Sequence, residues 1–180
     1  PRGDSAHYAS CYCEENIYLL ALRKLQEQSE LLPADRPELF VVFVSSQSQQ
    51  TPIWCQAANV RTPEAPVVWD YHVVLLQRDP AGERLILDYD TTLPFPSAAD
   101  AYIQLCFRPT LLLRPEHQQL FRVIKARLFL DYFASDRSHM LINGSEYAAP
   151  LPSWPPIHGA HATSAHNIAQ YIAMGDIGDL

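Results

Sequence analysis

The spacing of apolar positions changes several times along this chain, and each change marks an element. Between Ser10 and about Gln28, Ile17, Leu20, Ala21 and Leu25 recur at helical spacing while Arg23, Lys24, Gln26 and Glu27 are polar, which predicts an amphipathic helix. Ser10 or Cys11 stands at the N-cap position. Glu14 and Glu15 fall in the first turn, where carboxylates suit the positive end of a helix. Leu31 to Glu38, with two prolines, reads as a loop. Leu39 to Val44 is a continuous apolar run rich in β-branched and aromatic residues, the pattern of a buried strand. Polar Ser45 to Thr51 reads as a turn and Pro52 to Gln56 as a partner strand. Val67 to Arg78 and Arg84 to Asp90 flank the turn residues Asp79-Pro80-Ala81-Gly82 and predict a hairpin. Ser97 caps a predicted helix to Phe107, Phe121 to Ala126 reads as a strand, and Leu128 to Phe133 and Asn167 to Met174 as short helices. From Ser135 onward the chain reads as loop, dense in proline near Pro150 to Pro156. A leading helix followed by mostly antiparallel strands with interspersed helices is an α+β pattern.

Size and charge narrow the function classes. At 180 residues the chain fits one domain, 1–180, which buries roughly 70% of the surface its unfolded form exposes. The net charge of −7 and pI near 5.4, with no local basic cluster, argue against nucleic acid or an anionic membrane surface as partner. No apolar run approaches the roughly 20 residues that span a bilayer. Residues 1–7, opening Pro1-Arg2-Gly3-Asp4 without a methionine or hydrophobic signal region, read as a processed or artificial edge. Four cysteines, Cys11, Cys13, Cys55 and Cys106, are spaced like no disulfide framework and point to a reducing compartment, with at least one thiol kept for chemistry.

Cys13 is the first candidate for that chemistry. A thiol in the first turn of a helix feels the unpaired N–H groups there, which lower its pKa and can stabilise an oxyanion on a carbonyl it attacks. A hairpin turn centred on Pro80-Ala81 sets His72 opposite Asp88 and Asp70 opposite Asp90. A carboxylate that holds one imidazole nitrogen leaves the other free to serve a thiol. The register has rivals: a shift of two residues sets Asp90 opposite His72, and a shift of one sends both carboxylates to the other face. His158, His161 and His166 match no zinc spacing, and Cys11-Tyr12-Cys13 lacks the second ligand pair of a structural zinc site. Six glycines form neither a phosphate loop nor a dinucleotide fingerprint.

Four motifs carry a resemblance. Cys11-Tyr12-Cys13-Glu14-Glu15-Asn16, Trp69-Asp70-Tyr71-His72-Val73-Val74, Asp88-Tyr89-Asp90-Thr91-Thr92-Leu93-Pro94-Phe95-Pro96 and Phe133-Ala134-Ser135-Asp136-Arg137-Ser138-His139-Met140 closely resemble the protein N-terminal glutamine amidohydrolase family of eukaryotes. They stand in family order within about residues 8 to 175. The resemblance implies a papain-like or transglutaminase-like fold with a central, mostly antiparallel sheet flanked by helices. It implies a Cys-His-Asp triad of Cys13, His72 and Asp88, with the cysteine at the start of the leading helix, and neither cofactor nor metal. It further implies a cytosolic or nuclear, monomeric enzyme of the N-degron pathway that acts on protein and peptide N-termini beginning with glutamine. Family members continue further at the C-terminus, so the chain reads as cut short after Leu180.

Recognition of a free N-terminus needs an acceptor for an ammonium group. Glu14, Asp70, Asp90 and Asp136 are the candidates, with Tyr12, Trp69 and Tyr71 as pocket walls and Ser135 as a further contact. Two rival readings remain at this stage. One keeps the triad but makes the chain a cysteine protease or a transglutaminase, and the other is a non-enzymatic module that binds N-termini.

Overall fold

A computed structural model describes residues 7–59, 61–62 and 64–175; of the expected edge, 1–7, all but His7 lies outside them, as does the chain end after 175. The leading helix, α1, spans Cys13–Glu27. Strand β1 (Glu38–Ser45) is followed by β2 (Thr51–Ile53), β3 (Val67–Trp69), β4 (Tyr71–Arg78), β5 (Arg84–Leu87) and β6 (Ser97–Ala98). Helix α2 (Ala99–Tyr102) runs into a π-helical turn, Ile103–Phe107, before β7 (Leu120–Lys125), α3 (Ala126–Tyr132) and α4 (Ile168–Ile172). Five strands form the central antiparallel sheet in the order β6-β5-β4-β1-β7.

The continuous apolar run in β1 follows from burial on both faces of this sheet. Val41 and Phe43 face a layer built by Ile17, Leu20 and Ala21 of α1, Phe129 and Leu130 of α3, and Tyr171 of α4. Val42 and Val44 face the opposite way, onto Ala99 and Tyr102 of α2 with Cys106 and Phe107. Burying each leucine or isoleucine in these layers contributes roughly 1.5–3 kcal/mol. The α1 stripe therefore does more than favour a helix: it fixes the helix across β4, and with it the position of the first helical residue.

The α+β expectation holds, and several boundaries move. The segment 67–78 is two strands broken at Asp70, because β3 leaves the main sheet to pair with β2, Thr51 against Trp69. The strand near residue 52 therefore partners β3, not β1. The region 97–107 opens as a short strand, and its last turn widens to π geometry rather than continuing as one α-helix. Beyond residue 133 the chain is more ordered than expected, with short ladders pairing Ala134–Ser135 with Ile157–His158 and Leu141–Ile142 with Glu146–Tyr147. A buried fork explains part of that order. Arg137 donates to both oxygens of Glu15, at 2.9 and 2.8 Å, and Trp154 Nε1 donates to Glu15 at 2.7 Å.

Candidate active site

Helix α1 begins at Cys13 itself. Tyr12 is the N-cap residue, without a side-chain cap, in place of the expected Ser10 or Cys11. Asn16 ties down the segment before the helix instead: its side chain accepts from the Ala9 N–H and donates to the Ala9 carbonyl, both at 2.8 Å. That clamp folds residues 8–12 back over the helix start. It also puts Cys11 at φ +67° and leaves it exposed, whereas the Cys13 thiol is packed against the core.

The expectation that the helix start lowers the Cys13 pKa is overturned by its surroundings. Burial raises the thiol pKa well above its ordinary value, and the charges of Glu14, Asp90 and Asp70 push the same way. The backbone N–H of Val73 works in the opposite direction but is outweighed. A helix end acts over about one turn with partial charges, so the loss of solvation around the thiol, with nearby carboxylates adding to it, dominates the helix end.

His72 sits on β4, between Val44 of β1 and the end of β5, with no exposed surface. Its Nε2 is 2.9 Å from Oδ1 of Asp88, itself buried. Three further donors hold that carboxylate: the Asp90 N–H on Oδ1 at 2.9 Å, the Tyr102 hydroxyl on Oδ2 at 2.7 Å and Gln56 Nε2 on Oδ2 at 3.4 Å. Burial alone raises the Asp88 pKa; His72 and these donors outweigh it and hold the carboxyl below its usual range. For His72, burial pulls the pKa down, but Asp88 and Asp90 pull harder and the net shift is upward. The ring stacks on Trp69 at 5.4 Å between centroids. Its other nitrogen, Nδ1, is buried and has no hydrogen-bond partner.

The hairpin register corrects the sequence arithmetic. Leu75 pairs with Leu87 and Arg78 with Arg84. The loop therefore includes Glu83, whose N–H returns to the Asp79 side chain at 2.8 Å. Carried onward, this register would set His72 against Asp90, and Asp88 reaches His72 on the diagonal from the same face. The ladder ends at Leu87 because Asp88 turns its side chain onto the Asp90 N–H, and Thr91 pairs with Gln56 instead.

Other candidates divide into those near the thiol and those set apart. Glu14 has no exposed surface; its Oε2 lies 3.7 Å from the Cys13 sulfur and accepts from Tyr71 at 3.0 Å, while Oε1 has no hydrogen-bond partner. Burial pushes its pKa up to about 7. Asp90 accepts from the Tyr8 hydroxyl at 2.6 Å. Exposed Asp70 caps the Tyr71 N–H, and exposed Asp136 caps the Ser138 N–H and faces His166 Nδ1 at 3.3 Å. Tyr12 turns away toward Ala149 and Arg137. Ser135 is buried and accepts from the Arg137 N–H.

Sequence reasoning missed Gln56, Tyr102, Tyr8 and His139. The last stands 3.4 Å from the Tyr71 hydroxyl and stacks on His166, which is half-buried rather than free in a loop. None of the four carries a local signal, since each acts through a contact distant in sequence. One atom each from His72, Asp88 and Asp90 lies within 4.8 Å of the others, near enough to share a cation. Each Asp88 oxygen already accepts two hydrogen bonds, so the arrangement suits holding an imidazole better than caging an ion.

A family model described as N-terminal glutamine amidase matches residues 8–178. A protein N-terminal glutamine amidohydrolase of Arabidopsis thaliana is 41% identical over 165 residues, 91% of this chain and 73% of its own length. Those of Drosophila ananassae and Drosophila melanogaster are 38% and 37% identical over 174 residues, 97% of this chain and 82% of theirs.

Proposed function

The chain belongs to the N-terminal glutamine amidase family and hydrolyses the side-chain amide of N-terminal glutamine to glutamate and ammonia, and from this premise we propose that Cys13, His72 and Asp88 carry the reaction. The observation behind the assignment is the buried His72–Asp88 pair at 2.9 Å, which leaves Nδ1 of the imidazole unpartnered on the strand crossed by the Cys13 helix.

In this mechanism Nδ1 takes the thiol proton, and the sulfur attacks the carboxamide carbon. The oxyanion is held by the unpaired N–H groups at the mouth of α1, with the buried, unpartnered indole N–H of Trp69 as a further donor. Protonated His72 then gives its proton to the departing ammonia, which leaves a thioester on Cys13. Water, deprotonated by His72, hydrolyses the thioester. Asp88 stays ionised and keeps the ring oriented, with its Nε2–H directed at the carboxylate. Asparagine, one methylene shorter, presents its carboxamide about an ångström out of place, a misplacement that costs ~100-fold.

In this reading residues 1–180 act as a single catalytic domain, monomeric and resident in the cytosol or nucleus, where the product feeds the N-degron pathway. Tyr71 and Trp69 wall the substrate pocket. Product mass tests the chemistry against the protease and transglutaminase readings. A Gln-starting peptide gains only the difference between an amide and an acid, uncleaved and without an added amine; cleavage or a mass increase from an amine would overturn hydrolytic deamidation.

A further inference from the structure

We propose that Glu14 and Asp90 form the receptor for the substrate's α-ammonium group, and that its arrival drives the proton of Cys13 onto Nδ1 of His72. This rests on the Cys13–His72–Asp88 reading and adds a reason why a free N-terminus matters to the chemistry as well as to binding.

The groups that weigh most on the sulfur are carboxylates: Glu14 on α1, Asp90 beyond β5 and Asp70 before β4. Asp88 is committed to His72, Tyr102 and Gln56. Glu15 and Arg137 neutralise each other, His139 lies 3.7 Å from Glu14 with its pKa lowered by burial and by His166, and Asp136 faces His166. Tyr71 and Tyr8 add only hydroxyls. A desolvated thiol among anions stays protonated, so the unliganded site is held at rest.

Two buried atoms point to what is missing. Glu14 Oε1, which faces His139 Nε2 at 3.7 Å, beyond hydrogen-bond distance, and His72 Nδ1 are both fully enclosed and both without a hydrogen-bond partner. An ammonium satisfies the first and, by adding positive charge, favours the thiolate–imidazolium pair that satisfies the second. The S–H bond breaks, an N–H bond forms on Nδ1, and no other reactant is needed. Reach is adequate: the α-nitrogen of glutamine lies within about 5 Å of its side-chain amide carbon, given bonds near 1.5 Å. Of the four acidic candidates, Asp70 and Asp136 are exposed and occupied with backbone caps. Asp90 offers the approach from solvent. Its donor, Tyr8, is 39% exposed, and the incoming ammonium takes over that hydrogen bond.

The test uses a Gly-starting peptide, which brings the ammonium without a side chain to cover the sulfur, beside its N-acetylated twin. Competition against a Gln-starting peptide is measured first, then the thiolate absorbance of the native enzyme less that of Cys13→Ser across pH. The free-amine peptide is expected to compete at least tenfold better and to lower the Cys13 midpoint by about one unit or more. Both effects should shrink in Asp90→Asn and in Glu14→Gln. Equal competition by the twins overturns the receptor, and competition without a midpoint shift overturns the activation. The Cys13 assignment itself fails on a different result, retained turnover by Cys13→Ser.

Discussion

His72 and Asp88 are hydrogen-bonded across a diagonal of the hairpin, not across one of its rungs. The 2.9 Å contact forms where the β4–β5 ladder has already ended, and the donors that secure Asp88 come from Gln56, Tyr102 and the Asp90 backbone. The carboxylate is thus held from three directions and the imidazole from one, which leaves a single nitrogen for chemistry.

Asp88→Asn keeps the size of the side chain and removes the charge that fixes the ring's tautomer. The expected outcome is a fall in kcat on the order of 10²–10⁴-fold with KM changed little. Steady-state ammonia release checks it. A loss confined to KM would assign Asp88 to substrate binding.

Tyr102→Phe removes one donor from a buried carboxylate. The cost in stability near neutral pH is about 1–2 kcal/mol, read from chemical denaturation. The sign of the pH effect follows from the lowered pKa of Asp88. A depressed carboxyl pKa contributes stability that is present above the unfolded value of about 3.9 and is lost as pH falls through the folded value. Losing the Tyr102 hydroxyl raises that folded value, so the variant should unfold at a higher pH on acid titration. An unchanged acid midpoint would contradict the role given to this hydroxyl.

Glu14 carries the opposite sign. Its folded pKa, about 7, lies above the ordinary value of 4.5, so the native state binds more protons than the unfolded chain between those values and stability falls as pH rises through that window. The penalty above pH 7 is roughly 3 kcal/mol at most. Glu14→Gln should therefore be more stable than the native protein at pH 8 and lose that advantage by pH 5, while its KM for a Gln-starting peptide rises. Melting curves at the two pH values, run beside the kinetics, check both halves.

What could be read from the chain in advance follows physical lines. The helix at Cys13, the strand at Leu39 to Val44 and the hairpin around Gly82 were legible because local periodicity and turn chemistry specify them. The register was not, since a loop that runs from Asp79 through Glu83 slides the ladder by two residues, which leaves every side chain on its own face and so disturbs neither strand's pattern. The state of the Cys13 thiol was misread for a related reason. Its place on the helix is a local property, but Asp70 and Asp90 reach it only through the fold. Tyr102 illustrates the limit most plainly: as a helix residue it is ordinary in sequence, and only the sheet brings Asp88 within 2.7 Å of its hydroxyl.

The central claim is that one particular thiol performs the reaction, and the neighbouring cysteine supplies the control. Cys11 is exposed, lies before the helix and stands 3.6 Å from the Ser10 hydroxyl, whereas Cys13 opens α1 against β4. Ammonia release from a Gln-starting peptide should fall to background in Cys13→Ser and remain near native in Cys11→Ser. Turnover by Cys13→Ser at a native rate, or its loss in Cys11→Ser alone, would contradict the account.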